Sequence, residues 1–126
     1  MATIIHKELS YRVNGILFDV HNQLGRFCRE KKYGDLFETK LRNEKMVFER
    51  ERAVAVEEIK REFTNKVDFV ISNTLLVDLK AKPIVTKDDY YQMNRYLNAC
   101  GYDFGLIVNF RNKYLKPIRV IRSIRN

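Results

Sequence analysis

Three residues of this chain are of types and at spacings that can do chemistry together. Asp78 and Lys80 close the apolar run Leu75-Leu76-Val77 with Leu79 between them, and Asp68 stands ten residues earlier. In an extended strand successive side chains alternate faces, so Asp78 and Lys80 point the same way, roughly 7 Å apart, and Leu79 turns into the opposite layer. A carboxylate and an ammonium side by side at a strand end suit the holding of a metal ion and the positioning of a water. The spacing alone is not selective, because an acid two residues before a lysine also occurs at Glu30/Lys32, Glu38/Lys40 and Glu58/Lys60. What singles out Asp78/Lys80 is the continuous aliphatic run before it, the pattern of a strand buried on both faces.

Asp68 enters through register. Lys66-Val67-Asp68-Phe69-Val70-Ile71 also reads as a strand, and Ser72-Asn73-Thr74 has the composition of a tight turn, so a hairpin is predicted. A three-residue loop pairs Ile71 with Leu75 and sets Asp68 directly across from Asp78, whereas a two-residue loop turns the acids to opposite faces. Like charges directly across an antiparallel pair cost from a few tenths up to about 1 kcal/mol. A divalent cation between them removes the conflict. The competing reading is two unrelated solvated acids.

The elements that must position these residues follow from periodicity. Leu9, Val13, Ile16, Leu17, Val20 and Leu24 recur at helical spacing and Gly25 follows as a left-handed cap, predicting a helix over 8–24. Near its end, Asp19 and His21 are expected on the surface; His21 reads as a solvated residue favoured by the helix dipole, with a catalytic base as the competing role. A second helix is predicted over 27–45, with Tyr33, Phe37 and Leu41 on one face. Glu30 shares that face in the first turn, where it complements the helix dipole and also stands within reach of a covered sheet end. Alternation from Val47 to Val56 suggests one long strand, and 57–65 a polar connection. After the hairpin, Pro83 ends pairing, and Thr86-Lys87-Asp88-Asp89 has the form of a capping box opening a helix to Gly101. Met93, Leu97 and Cys100, with Tyr90 or Tyr96, form its buried stripe, and Gln92 and Tyr96 share a face. Gly105–Phe110 reads as a buried strand and Lys116–Ile124 as a more exposed one. The order is α-α-β-β-β-α-β-β.

Composition bounds the partners. At 126 residues the chain is expected to be one domain, 1–126, with a single core. No apolar stretch approaches a membrane span and the N-terminus does not read as a signal peptide, so a cytoplasmic protein without membrane attachment is expected. Cys28 and Cys100 lack any paired or metal-binding spacing and read as reduced, partly buried small hydrophobes. The net charge is +8, and after Asp103 the chain holds no further acid while Arg111, Lys113, Lys116, Arg119, Arg122 and Arg125 accumulate. A one-sided basic segment suits a polyanion such as nucleic acid. Simple solvation of these side chains is the other reading. Tyr90, Tyr91, Tyr96 and Tyr102 read as core or rim residues, with base stacking as the alternative.

Taken in order, these features resemble the PD-(D/E)XK nuclease superfamily: a helix, a three-stranded meander with an acid on its second strand and Asp78-x-Lys80 on its third, then a helix and a strand. Within it, Leu24-Gly25 followed by Glu30-Lys31-Lys32-Tyr33, and later Val77-Asp78-Leu79-Lys80-Ala81, is similar to the small prokaryotic proteins of the GxxExxY group. Gln92-Met93-Asn94-Arg95-Tyr96 fits the QxxxY helix motif of RecB-like nucleases. The sequence departs from these patterns at Phe27, where the group has its first glycine, and at Val67, where a proline precedes the first acid; Asp78 stands where Glu is commoner. The resemblance covers about residues 9–121.

What the resemblance implies is an α/β fold with a restriction-endonuclease-like core, a mixed central sheet flanked by helices. It also implies Glu30, Asp68 and Asp78 as metal ligands, Lys80 as the catalytic lysine, and Gln92 with Tyr96 supporting the site or the nucleic acid. The activity implied is metal-dependent hydrolysis of phosphodiester bonds, in DNA by preference, with Mg2+ as cofactor and Mn2+ as substitute. A core this small gains specificity from symmetry or a partner, which makes a homodimer the expected assembly. The alternative is a non-catalytic nucleic-acid-binding or partner-recruiting module that keeps the fold.

Overall fold

The computed structural model describes residues 2–54 and 66–123, with side chains from His6 onward. Its elements are α1 (Ala2–Leu24), α2 (Glu30–Asn43), β1 (Phe48–Ala53), β2 (Lys66–Ile71), β3 (Leu75–Lys80), α3 (Lys87–Cys100), β4 (Phe104–Asn109) and β5 (Ile118–Ile121), in the predicted order. The five strands form one sheet in sequence order. β1, β2 and β3 are a meander, β3 and β4 run parallel across α3, and β5 returns antiparallel.

Several boundaries differ from the periodicity for identifiable reasons. α1 begins at Ala2 rather than residue 8, since no glycine or proline interrupts the segment before it. It ends as expected at Gly25, whose φ of +75° lets its N–H reach the His21 carbonyl at 2.8 Å. α2 starts three residues late because the Tyr33 hydroxyl donates to the Gly25 carbonyl and accepts from the Cys28 N–H, pinning the intervening residues as a loop. β1 ends at Ala53, short of the long strand expected; residues 55–65, with the polar connection, lie outside the described residues. β5 begins at Ile118 rather than Lys116, because Pro117 has no N–H to donate to the ladder.

Two apolar layers cover the sheet. On one face α1 and α2 pack Val13, Leu17, Tyr33, Phe37 and Leu41 against Phe69, Val77, Leu79, Leu106 and Val108, with Tyr33 stacked on Phe110 at 4.1 Å. On the other, α3 packs Met93, Tyr96 and Leu97 against Val70, Leu76 and Ile107. Tyr96, not Tyr90, completes that stripe, and Cys100 is only half-buried. Gly105 sets how close α3 lies: a Cβ there would meet Met93 Sδ at 2.6 Å and the Leu76 carbonyl at 3.0 Å. Cys28 and Cys100 are each half-buried. No described helix is long and apolar enough to cross a membrane.

Candidate active site

The hairpin has the odd-loop register. Ile71 pairs with Leu75, Val70 with Leu76 and Phe69 with Val77, so the next opposed pair is Asp68 and Asp78. Ser72 and Asn73 both take positive φ and the Thr74 N–H closes on the Ile71 carbonyl at 3.1 Å, a turn whose twist matches that of the strands. Past Phe69 the paired ladder with β3 stops, and the Asp68 Oδ2 takes the Leu79 N–H at 2.7 Å instead. On the other side β1 pairs Arg50 with Phe69 and Arg52 with Val67, leaving Glu51 opposite Asp68 with a left-handed φ of +55°. A non-glycine residue in that conformation stores about 1 kcal/mol or more. Asp68 therefore sits where the meander opens on both sides.

The electrostatics at this opening are those of crowded charge. A proton on Asp68 can be donated to the facing Asp78 carboxylate, which relieves the repulsion between the two acids. Burial first, then the bond to Asp78 and its charge, push Asp68 up to about 8, against the lowering effect of the Leu79 N–H and Lys80. Lys80 Nζ lies 2.8 Å from Asp78 Oδ2 and 3.7 Å from Asp89 Oδ1. Its burial acts to lower its pKa, but the Asp78 charge and hydrogen bond, with Asp89 and Asp68 behind, outweigh that and hold it as an ammonium above the usual lysine value. Asp78 is 5% exposed, so neither partner could lose the other without stranding a buried charge.

Glu30 is brought near, but less closely. It opens α2 and is exposed, and it lines a cavity of about 520 Å³ together with Asp68, Phe69, Leu79, Arg50 and Glu51. Among the described residues, no three acidic, histidine or cysteine side chains stand close enough to enclose a metal ion. The donor set nonetheless fits a hard cation: two carboxyls from adjacent strands, of which Asp68 holds its proton through burial and then through the neighbouring Asp78. Mg2+ commonly takes one or two carboxylates and keeps several waters.

On the α3 face, Tyr96 is almost fully buried and Gln92 half-buried one turn before it. Burial, then the Asp78 charge, raise the Tyr96 hydroxyl's pKa, which places its ring within the field of the acid pair. Two residues at this end, Asp89 and Asn109, carry no sequence signal for a site. Asp89 was legible only as a cap: its carboxylate accepts from the Thr86 N–H at 2.8 Å, and it also holds Lys82 at 2.6 Å. Burial alone would raise Asp89, but Lys82, the Thr86 N–H and Lys80 together keep it below the usual carboxylate range. The buried Asn109, at the end of β4, has no pattern that marks it.

The basic segment divides. The loop after β4, with Arg111, Lys113 and Lys116, leaves the sheet beside Lys80, since Lys80 and Asn109 are parallel partners. There Arg111 is engaged within the fold, donating to the Ala81 carbonyl at 3.2 Å and lying over the Phe27 ring at 5.8 Å. Lys113 lies over the exposed Tyr114 ring, and Lys116 is exposed. Arg119 packs over Phe104 at 4.3 Å. Arg122 is not unopposed: its Nη2 is 3.5 Å from Asp103 at the opposite end of β4. Arg125 lies outside the described residues. His21, read as solvated, is half-buried with its Nε2 2.9 Å from the Asn112 carbonyl, which gives it a structural contact.

Comparison with known proteins agrees with this architecture. Among solved structures, an alkaline exonuclease (LHK-Exo) from Laribacter hongkongensis superposes with a TM-score of 0.50 at 12% identity, covering 68% of this chain and 52% of its own. The chain thus spans about half the length of that exonuclease, and the likeness is one of fold. No curated protein matches it. A family model described as the PD-(D/E)XK nuclease superfamily matches residues 7–122, nearly the whole sequence. With an acid pair at the mouth of a three-stranded meander, a lysine two residues on, and that match, the chain belongs to the PD-(D/E)XK nuclease superfamily.

Proposed function

We propose that the protein is a metal-dependent nuclease that hydrolyses phosphodiester bonds of DNA, as a member of the GxxExxY group. The observation that carries this is the meeting of Asp68 and Asp78 from adjacent strands, with the Lys80 ammonium 2.8 Å from the second. Asp68 and Asp78 hold the cation, Mg2+ with Mn2+ as substitute, and Glu30 reaches in from the rim of the shared cavity. When bound, the ion supplies Lewis acidity toward a phosphate oxygen and lowers the pKa of a water. Lys80, an ammonium at neutral pH, orients the attacking water and clamps phosphate, a role that needs no proton from it. Gln92 and Tyr96 support this end from α3, and Lys113 and Lys116 meet the strand leaving it. A homodimer acting in the cytoplasm supplies the specificity that the small core lacks.

The single experiment is cleavage of a panel of single-stranded, duplex and branched DNA with Mg2+ or Mn2+. The expected outcome is cleavage by the wild type that a chelator stops and that Asp78→Asn lacks. Wild type that cleaves none of the panel faster than Asp78→Asn overturns the nuclease reading. One observation favours the alternative, a non-catalytic nucleic-acid-binding or partner-recruiting module: Glu30 is exposed and, among the described residues, does not close with Asp68 and Asp78 into a cluster that encloses a metal ion. That module would bind the panel equally well with and without metal.

A further inference from the structure

Lys82 follows Lys80 by two residues, just past the end of β3, and its place is unusually well fixed. The Asn109 amide, 2% exposed, holds its backbone from both sides: Oδ1 accepts from the Lys82 N–H at 3.2 Å, and Nδ2 donates to the Lys82 carbonyl at 2.7 Å. Arg111 Nη2 donates to the carbonyl of the preceding Ala81 at 3.2 Å. A chain leaving a sheet end ordinarily gives such groups to water; here side chains of the β4 end take them, so the protein and not the solvent dictates the path.

The Lys82 ammonium rests on Asp89 Oδ2 at 2.6 Å, while Lys80 lies 3.7 Å from Oδ1 of the same carboxylate. Two ammonium groups already share one anion, one on each oxygen, a spacing that suits a phosphate with two terminal oxygens. Lys82 is also free to change partner. Asp89 keeps the Thr86 N–H at 2.8 Å and Lys80's charge without it, and the Lys82 side chain is about one third exposed. Lysine binds phosphate as a compact point charge, without the fork geometry that fixes arginine.

We propose that Lys82 is a second phosphate-binding cation of this site, taking a phosphate of the nucleic-acid strand together with Lys80. The assignment rests on the nuclease reading above for its substrate class, but its test does not need cleavage. Affinity for a short fluorescent DNA duplex is measured by anisotropy as salt is varied, for the wild type, Lys82→Gln, Lys82→Arg and Lys87→Gln. Lys87 is exposed, one residue past the Thr86 cap, and serves as the charge-matched control.

One lost phosphate contact lowers the log–log salt slope by about 0.9, which at about 0.1 M salt is roughly an eightfold loss of affinity. That is the result expected for Lys82→Gln, with the slope kept in Lys82→Arg and in Lys87→Gln and the melting temperature of all three near that of wild type. A Lys82→Gln slope equal to that of wild type or of Lys87→Gln overturns the proposal, as does wild type that binds no duplex. If the slope depends on Lys82 while no DNA in the panel is cleaved, the nuclease reading fails and this assignment stands.

Discussion

The two positively charged regions of this molecule are built in opposite ways. At the mouth of the meander, Lys80 and Lys82 are few, half-hidden and each held by an acid, with their backbone fixed by buried neighbours. Along the C-terminal segment the cations are many and most of those described are exposed; Arg119 and Lys113 lie over the Phe104 and Tyr114 rings, and Arg111 and Arg122 meet polar groups of the fold, the Ala81 carbonyl and Asp103. Charge that is buried and paired defines a geometry, because misplacing it strands a desolvated ion. Exposed charge defines mainly a field, which salt screens. The net charge of +8 therefore says little about where on this molecule charge is held in a fixed geometry.

The largest effect should come from the buried region. Lys80→Ala is expected to lower metal-dependent DNA cleavage by a factor of about 100 or more, typical of losing one electrostatic stabiliser, while affinity for DNA changes modestly. Single-turnover cleavage assays alongside anisotropy separate the two. A comparable loss on truncating Lys113 would erase the contrast between the regions, since that side chain is exposed and lies only over Tyr114.

The next effect is a pH dependence that the exposed region cannot produce. Asp68 titrates at about 8 in the folded protein against 3.8 for the ordinary carboxyl. Between those values the folded state holds a proton that the unfolded state lacks, so its contribution to stability is full below pH 4 and is lost as pH rises toward and through 8. Chelator-treated wild type should therefore lose stability with rising pH by at most about 1.4 kcal/mol per unit in that window. Asp68→Asn should flatten the curve. Melting curves at matched ionic strength from pH 5 to about 9 check this; an equal slope in both proteins refutes the shared-proton description of the acid pair. Cation binding near pH 7 should also release a proton, visible as a dependence of the calorimetric heat on the buffer.

How much of this was legible in the sequence depends on the kind of signal. Strand register is legible up to the loop length, because side-chain alternation has period two: a three-residue loop opposes Asp68 and Asp78, a two-residue loop separates them, and the Ile71–Leu75 pairing decides for the first. The Thr86–Asp89 capping box was legible because capping chemistry is local, spanning a single helical turn. The second duty of Asp89, holding Lys80 and Lys82, was not, because it depends on where α3 starts relative to β3. Asn109 was illegible for the same reason: its partner Lys82 is remote in sequence, and a polar residue closing a buried strand is ordinary. Glu51 gave no signal either, since a glutamate with left-handed φ follows from the sheet opening around Asp68 and not from its own preference. The charge count misled at Arg122, because counting has no geometry and Asp103 faces it across the strand pair.

Lys113 and Lys116 sit in the loop that leaves β4 beside Lys80, so replacing both with Ala should lower the salt slope of duplex binding by up to about 1.8, at about 0.9 for each contact. Cleavage rate at saturating DNA should change little, since neither residue reaches the acid pair. A fall in that rate without a change in slope would move these lysines from the field to the chemistry.

The smallest expected effect is at Arg122, and it is the one that tests whether the segment is divided at all. Its ion pair with Asp103 is 3.5 Å long between side chains 26% and 48% exposed, a geometry worth from nothing to about 1 kcal/mol. The Arg122 N–H to the Asp103 carbonyl, at 2.8 Å, survives any change of side chain and keeps the end of β5 in place. Arg122→Gln should therefore shift the melting temperature by only a few degrees at most and leave the salt slope at the wild-type value, because Asp103 lies before β4, at the sheet end opposite Lys80 and Asn109. A slope lower by about 0.9 would mean that Arg122 leaves Asp103 for phosphate. Bound strand would then have to run the length of β4 from the acid pair to the far end of the sheet, and the basic segment would be one continuous track instead of two unlike parts.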